Sequence, residues 1–229
     1  MSVLFTRRGP APYTSKPASD YAVGESVFLI EDGVEVEYLV VHQGLPDATN
    51  YDASCKGTWL LRKEILETRA WNSIKSSNYN ESAIHTYLNA DFFALFNEKV
   101  QNAALQATIP YTKSDGTEML GSSGLPTKVF LLSALESGIH PSDSQYLPSD
   151  STALSYFSSL TSDIRIAYLD GVATVWWTRS PYLATTQHAW ALDASGVKSQ
   201  QYTTNVIGIR PALIVSSDTC FNSNTNVIL

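Results

Sequence analysis

The first clear pattern in the chain is an alternation of apolar and polar residues with a period of two. The apolar run 27–30 is followed by the pair Asp32-Gly33, and valine and tyrosine then alternate with Glu35 and Glu37 over 34–40. An Asp-Gly pair between two such runs predicts a β-hairpin whose glutamates face the solvent. A third strand is predicted at 58–61, after a loop rich in turn-forming residues.

The spacing of apolar residues changes between positions 84 and 100. There they recur at i, i+3 and i+4, which predicts two short amphipathic helices sharing one apolar face. The residues of this face are Ile84, Tyr87, Leu88, Phe92, Leu95, Phe96 and Val100. Asn80 and Asn89 are the predicted helix caps because asparagine is favoured at that position.

The remainder of the chain alternates between short extended segments and polar loops. Short extended pieces are expected over 106–132, a short helix at 133–137, and a long loop at 138–162 with a weak helical piece near 154–160. Strands are predicted at 164–169, 172–178, 188–193, 197–203 and 209–215, with turns at Asp170-Gly171 and Ser195-Gly196. Proline lacks a backbone donor, so Pro211 favours an edge or a bulge for the last strand.

The N-terminal residues differ from the rest of the chain. Pro10, Pro12 and Pro17 stand among small and polar residues, which favours extended backbone. We therefore predict an extended arm over 1–22 and one α+β domain over 23–229. The arm is interpreted either as a poorly ordered terminus or as a segment that docks onto other subunits.

Composition and charge narrow the class of protein. With 229 residues, 44% of them hydrophobic and 16% charged, the chain is predicted to be globular. A net charge of −7 argues against nucleic acid or an anionic membrane surface as a main partner. No apolar run reaches the roughly 18 residues of a membrane span and no secretion signal is evident, so synthesis in the cytoplasm without membrane insertion is expected. Cys55 and Cys220 are predicted to be free thiols, with a disulfide between them left open outside the cell.

The sequence contains no pattern typical of an active site. The four histidines are far apart, and the nucleophile-elbow, dinucleotide and P-loop signatures are missing. One serine-to-lysine spacing, Ser195 to Lys198, falls on a predicted β-turn. The acidic residues at 31–37 are interpreted as the solvent side of the hairpin. We therefore predict no catalytic residue, no metal and no cofactor.

The last third is rich in aromatic and polar residues. One of Trp176 and Trp177 is expected to pack in the core, and Arg179 and Arg210, the latter beside Pro211, to bond loop carbonyls or carboxylates. Exposed aromatics mixed with amides and hydroxyls are typical of a recognition surface. The predicted ligand-binding residues are Tyr182, Thr185, Gln187, His188, Gln201, Tyr202 and Asn205. Polar loops can also have this composition without binding anything, so both interpretations stand.

Several strings together resemble a family known only as a domain of unknown function. They occur in the order VVHQG at 40–44, GTWLL at 57–61, IHTYLN at 84–89, VFLLS at 129–133, WWTRSP at 176–181 and GIRPAL at 208–213. The resemblance spans about 22–216. Members occur in bacteriophage virion proteins and Gram-positive surface proteins, and the family is similar to the C-type-lectin-like fold of the formylglycine-generating-enzyme group. The resemblance implies two helices beside a small twisted antiparallel sheet, with long loops presenting a ligand surface.

Two departures limit what the resemblance implies. The enzymes of that fold group use two cysteines close in sequence, whereas Cys55 and Cys220 are far apart. The calcium-dependent sugar binders carry EPN or QPD with WND, and this sequence has none of these strings. Neither oxidative catalysis nor calcium-mediated sugar binding is therefore expected.

The resemblance leads to one expected function and two alternatives. We expect a non-enzymatic phage virion or tail-associated protein that binds a host glycan or surface protein through the loops around 182–205. Residues 1–22 would contact other virion proteins, and the protein would be a homo-oligomer, with a trimer assumed by analogy. The alternatives are a structural decoration or cement protein of the capsid or tail and a cell-wall hydrolase.

Overall fold

The computed structural model describes residues 14–159 and 161–229. Most of the predicted arm, residues 1–13, lies outside the described part. Within that part the chain is mostly β, with strands β1 Ser15–Pro17, β2 Ser26–Glu31, β3 Val34–Gly44, β4 Gly57–Arg62, β5 Glu67–Ala70, β6 Ala107–Ile109, β7 Tyr111–Thr112, β8 Glu118–Met119, β9 Leu125–Thr127, β10 Val129–Leu131, β11 Tyr168–Leu169, β12 Val172–Ala173, β13 Trp176–Pro181, β14 His188–Leu192, β15 Lys198–Tyr202, β16 Val206–Ile209, β17 Pro211–Val215 and β18 Cys220–Asn222.

Two five-stranded sheets form the framework. The first has the order β10-β17-β4-β3-β2 and is antiparallel throughout. The second has the order β15-β14-β13-β16-β5, and within it only β13 and β16 run parallel. The remaining strands form two-stranded sheets. This β-rich arrangement with few helices is compatible with the predicted α+β class.

The predicted hairpin is confirmed, with Asp32 and Gly33 at φ 46° and 77° between β2 and β3. Two successive residues with positive φ are typical of the tight turn that Asp-Gly favours. Glu35 is exposed, as predicted. Glu31, however, is buried, because its carboxylate accepts from Tyr38 Oη at 2.6 Å and from Arg62 Nε at 3.1 Å. The surface interpretation of Glu31 was wrong.

The helical region is confirmed in position but is less regular than predicted. Helix α1 (Ala83–Tyr87) continues into a π turn at Leu88–Phe92 and a 3-10 turn at Phe93–Leu95, and α2 (Glu98–Ala103) follows. The predicted apolar face is buried except for Leu95, which is exposed, and Tyr87, which is partly buried.

The predicted helix caps were wrong. Ser82 caps α1 through the backbone N–H of His85, and Asn97 caps α2 through that of Val100. Asn89 instead lies inside the helical segment and binds the loop before β10. Its amide donates to the Val129 carbonyl at 2.8 Å and accepts from the Lys128 and Val129 backbone N–H groups, both at 3.1 Å. Asn89 thus fastens the helical region to the first sheet.

Both tryptophans of the WWTRSP string are fully buried, whereas one was expected. Neighbouring residues on a strand face opposite sides, so β13 contributes a ring to two separate apolar clusters. Trp177 packs edge-on against Trp71, with centroids 5.6 Å apart, and Trp176 joins Trp190 on the other side. Strand β13 therefore packs against apolar clusters on both of its faces.

Strand β17 departs from the expectation for Pro211. It lies between β10 and β4, inside its sheet, and not at an edge. Pro211 is the first residue of β17 and pairs with Leu131 of β10. At the first position of a strand a missing backbone N–H is tolerated, which reconciles the proline with an internal strand.

The predicted segments 133–137 and 164–169 also differ. The first forms hydrogen-bonded turns and no regular helix, although Ser137 N donates to the Ser133 carbonyl. The second begins as a 3-10 turn, Asp163–Arg165, and only Tyr168–Leu169 is extended. The weak helical piece near 154–160 is a 3-10 turn at Ser155–Phe157; Leu160 lies outside the described residues.

Gly196 is required by its position in the turn between β14 and β15. Its φ is +74°, and a Cβ atom there would overlap the carbonyl oxygen of Ser162. Asp193 closes the same turn by accepting from the backbone N–H groups of Ser195 and Val197 at 2.8 and 3.0 Å. The turn therefore lies in close contact with the carbonyl of Ser162.

The described part of the predicted arm packs onto the domain. Strand β1 pairs with β18 near the other end of the chain, and Ala18 and Tyr21 are buried. In the described chain, residues 14–22 therefore pack against the domain predicted over 23–229, and the boundary at residue 22 stays a prediction. The expected contact of residues 1–22 with virion proteins stays a prediction, and residues 1–13 of that segment lie outside the described residues.

Candidate functional site

Four aromatic side chains meet at one edge of the second sheet. We call Tyr146, Tyr182, His188 and Tyr202 the aromatic patch. His188 of β14 and Tyr202 of β15 are directly opposite in register, and their ring centroids are 4.0 Å apart with 36° between the planes. Tyr182 lies 5.4 Å from Tyr146 and 6.3 Å from His188, both edge-on. The patch combines three separate segments of the chain.

Two hydrogen bonds to the backbone carbonyl of Tyr146 hold the patch in place. Trp190 is buried beneath Tyr182, with centroids 5.1 Å apart, and its indole N–H donates to the Tyr146 carbonyl at 3.3 Å. The backbone N–H of Leu183 donates to the same carbonyl at 3.1 Å. Tyr146 and Tyr202 nevertheless keep 37% and 44% of their surface exposed. The rings are thus both held in place and accessible.

A loop that the sequence did not nominate completes this face. Asn72 N donates to the Thr203 carbonyl at 2.9 Å, and Ser77 N to the Thr186 carbonyl at 2.9 Å. Between these two anchors, Lys75 Nζ lies 4.8 Å from the Tyr202 ring centroid. Ile74, beside it, is 64% exposed. Lys75, Ile74 and Tyr146 carry no local sequence signal, since the 72–77 loop and Tyr146 are both far from the predicted 182–205 segment in the chain.

The predicted polar residues divide between two faces. Gln201 pairs with Ala189 and is the neighbour of Tyr202 on β15, so its side chain points away from the face that bears Tyr202. Its amide donates to Ser199 Oγ at 2.9 Å and accepts from Asn205 at 3.0 Å. The structure therefore separates Gln201 and Asn205 from the aromatic patch.

Gln187 and Thr185 lie in the loop before β14. Gln187 is exposed, and its backbone N–H donates to Thr185 Oγ1 at 3.2 Å. Both residues thus lie in the chain between Tyr182 and His188 of the aromatic patch. Ligand contact by any of the seven predicted residues stays a prediction.

His188 has a pKa below its usual value because burial, and then the nearby charge of Lys75, disfavours the protonated ring. Its Nδ1 has no hydrogen-bond partner within the described chain. At neutral pH the ring is therefore uncharged and can take part in aromatic contacts without a counter-ion.

The two motif arginines are internal. Arg179 is fully buried in a two-bond pair with Glu136: Nη1 contacts Oε2, and Nη2 donates to Oε1 at 2.6 Å. Its Nε donates to the Pro110 carbonyl at 3.0 Å. Arg210 donates to the Arg62 carbonyl at 2.9 Å, and its guanidinium lies 5.3 Å from the Trp176 ring centroid. These contacts agree with the structural interpretation of both arginines.

Asp150 is a second buried carboxylate beside this ion pair. It accepts from Thr112 Oγ1 at 2.7 Å and from Ser151 Oγ at 2.8 Å. Burial raises its pKa above the usual range, although Arg179 and the two hydroxyl donors oppose the shift. The ionised carboxylate is therefore disfavoured in the folded protein relative to the unfolded chain.

This gives a testable pH dependence. When the pKa of a carboxyl is higher in the folded protein than in the unfolded chain, the stability that the protonated group contributes is lost as the pH rises through the folded-state pKa. We expect Asp150→Asn to be more stable relative to wild type at pH 7 than at pH 4, measured by urea unfolding at both values. Asp115→Asn serves as a control with the opposite sign, since hydrogen bonds from Thr117 lower the pKa of that exposed carboxyl. A gap for Asp150→Asn that is equal at both pH values or larger at pH 4 would contradict the prediction.

The serine and lysine of the one catalytic-like spacing are each bonded to a different partner. Ser195 Oγ donates to Asp193 at 2.7 Å, and Lys198 pairs with Asp143 at 3.4 Å, so the serine-to-lysine spacing brings no pair together.

Cys55 is buried and Cys220 exposed, both as free thiols, and burial raises the pKa of Cys55 to about 12. Over residues 14–159 and 161–229 no group of three His, Cys, Asp or Glu side chains could hold a metal ion. No described helix is both long and apolar enough to cross a membrane.

The comparisons with known proteins define the family. Residues 56–217 match a domain of unknown function, DUF6273, and the chain belongs to this family. The matched region runs from just before β4 to just after β17, so it contains the aromatic patch and both motif arginines. The comparisons with curated proteins and with solved structures gave no match.

Proposed function

We propose that the chain is a non-enzymatic bacteriophage virion or tail-associated protein that binds a host surface molecule through the aromatic patch. The supporting observation is the laterally packed ring cluster of Tyr146, Tyr182, His188 and Tyr202 at a sheet edge, in which Tyr146 and Tyr202 are exposed. Rigid aromatic side chains give large contact area at low entropic cost, which suits them to recognition. The phage assignment rests on the sequence resemblance.

The proposal includes the finer fold assignment. A C-type-lectin-like fold is supported by the short helical region Ala83–Ala103 beside the sheets and by the long loop 138–162 that supplies Tyr146 to the patch. In such an arrangement the loops carry the binding surface and the sheets position it.

The proposal predicts that Tyr202→Ala removes binding without unfolding the domain. The full-length protein is titrated onto intact Gram-positive cells and onto their purified wall polysaccharide. We expect saturable wild-type binding and a loss of about tenfold or more in the variant, as is typical of a central aromatic contact. The readout is the dissociation constant, with circular dichroism to check the fold.

Tyr168→Ala is the matched control. Tyr168 is 42% exposed, close to the 44% of Tyr202, but lies on β11, outside the aromatic patch. Its variant should bind within about twofold of wild type, as for ordinary surface substitutions. Equal losses in both variants, or no wild-type binding to any preparation, would contradict the proposal and favour a structural role in the virion. Release of soluble wall fragments would favour the hydrolase alternative.

A further inference from the structure

Lys75 is a cation placed beside the aromatic patch without an anionic partner. Its side chain is exposed, and its Nζ lies 4.8 Å from the Tyr202 ring centroid. Within the described chain it forms no ion pair. The loop that carries it is anchored on both sides, at Asn72 and Ser77. Its position is therefore set by the fold of the loop and not by a neighbouring carboxylate.

The described contacts around Lys75 include no unpaired carboxylate. Asp143, on the loop that leads to Tyr146, is paired with Lys198 at 3.4 Å. His188 faces Lys75, Tyr182 and Tyr202, and only burial and Lys75 shift its pKa, both downwards. A carboxylate close to His188 would raise that pKa. Although the chain has a net charge of −7, no carboxylate contributes to the pKa shift of His188 at this face.

We infer that the aromatic patch binds an anionic polysaccharide, whose carboxylate or phosphate group pairs with Lys75 while a sugar ring packs on the exposed surface of Tyr202. This inference rests on the proposed function and adds the chemical class of the ligand. Charge complementarity of this kind directs specificity and the rate of association more than it adds affinity.

A polysaccharide fits this face better than a nucleic acid. Single-stranded nucleic acids also stack on tyrosine, but their sites carry a groove of several cations that follows the phosphate backbone. Here one unpaired lysine stands beside the rings, and Lys198 is already paired with Asp143. A repeating polymer with widely spaced charges matches a single cation.

The test uses purified Gram-positive wall polysaccharide in three forms. One is native, one is treated with hydrofluoric acid to remove phosphodiesters, and one is reduced at its carboxyl groups. Binding of the full-length protein should fall when the relevant anion is removed, and the form that loses binding identifies phosphate or carboxylate as its source. Binding to the native form should also weaken as salt is raised from about 50 to about 500 mM, because salt screens exposed charges.

Lys75→Met is the diagnostic variant, with Lys56→Met as its control. Lys56 is also exposed but lies just before β4, in the other sheet. Lys75→Met should weaken binding to the native polymer about two- to fivefold and reduce its salt dependence, as expected for one exposed charge pair. Lys56→Met should change neither.

The outcomes separate this inference from the proposed function. If the two neutralised forms bind as well as the native polymer and Lys75→Met binds like wild type, the anionic class is overturned while receptor binding stands. Tighter binding to a single-stranded oligonucleotide than to any polysaccharide would also overturn it. If the wild-type protein binds no preparation, both proposals fail together.

Discussion

Replacing Arg179 by methionine is expected to destabilise the domain by about 3–5 kcal/mol, the cost typical of leaving one member of a buried ion pair without its partner. Both side chains of the Arg179–Glu136 pair are fully buried. Burial alone would lower the pKa of Arg179, but Glu136 and Asp150 raise it, so the guanidinium is charged at every accessible pH. Methionine retains much of the side-chain volume and removes the charge.

The measurement is urea unfolding followed by tryptophan fluorescence. A double variant, Arg179→Met with Glu136→Met, should recover part of the loss because it removes the stranded carboxylate as well. Tyr51, which donates to Glu136 at 2.7 Å, would then lack that acceptor, so recovery should be incomplete. A single variant that loses less than about 1 kcal/mol, or a double variant less stable than the single, would contradict the structural assignment of this pair.

Trp177→Ala should have an effect of similar size, about 3–5 kcal/mol, from the cavity left in the core. Trp177 has no exposed surface, packs edge-on against Trp71, and donates its indole N–H to the Arg69 carbonyl at 3.0 Å. The substitution therefore removes apolar burial and leaves that carbonyl without this donor. Thermal and urea unfolding both measure it.

Val206→Ala is the control for Trp177→Ala. Val206 is 63% exposed on β16, the strand that pairs with β13. Truncating this exposed side chain should change the free energy of unfolding by no more than about 0.5 kcal/mol. Trp177→Phe should fall between the two because an aromatic ring still fills part of the space. A similar loss for Val206→Ala and Trp177→Ala would show that β13 does not carry the core as described.

The parts of the fold that depend on local pattern could be predicted from the sequence. The hairpin around Asp32-Gly33, the strand at 58–61 and the apolar face of the helical region each follow from residues close in the chain. Features set by distant partners could not. Glu31 alternates like a surface residue, and its burial depends on Tyr38 and Arg62.

The candidate site shows the same division between local and distant information. Tyr182, His188 and Tyr202 are predicted because they lie in one polar, aromatic segment, and the register of β14 with β15 places two of these rings 4.0 Å apart. Tyr146 and Lys75 reach the same face from loops far away in sequence. No periodicity links such positions, so only the folded chain reveals them.

The two ends of the β14–β15 hairpin also differ in how many amino-acid substitutions they tolerate. At the turn, any side chain in place of Gly196 would collide with Ser162, and Asp193 is needed to close the loop. At the other end, Thr186 and Gln187 are exposed beside the rings. A library built on this scaffold should therefore randomise the 184–187 loop and keep 193–196 fixed, so that binding specificity can diversify while the fold is retained.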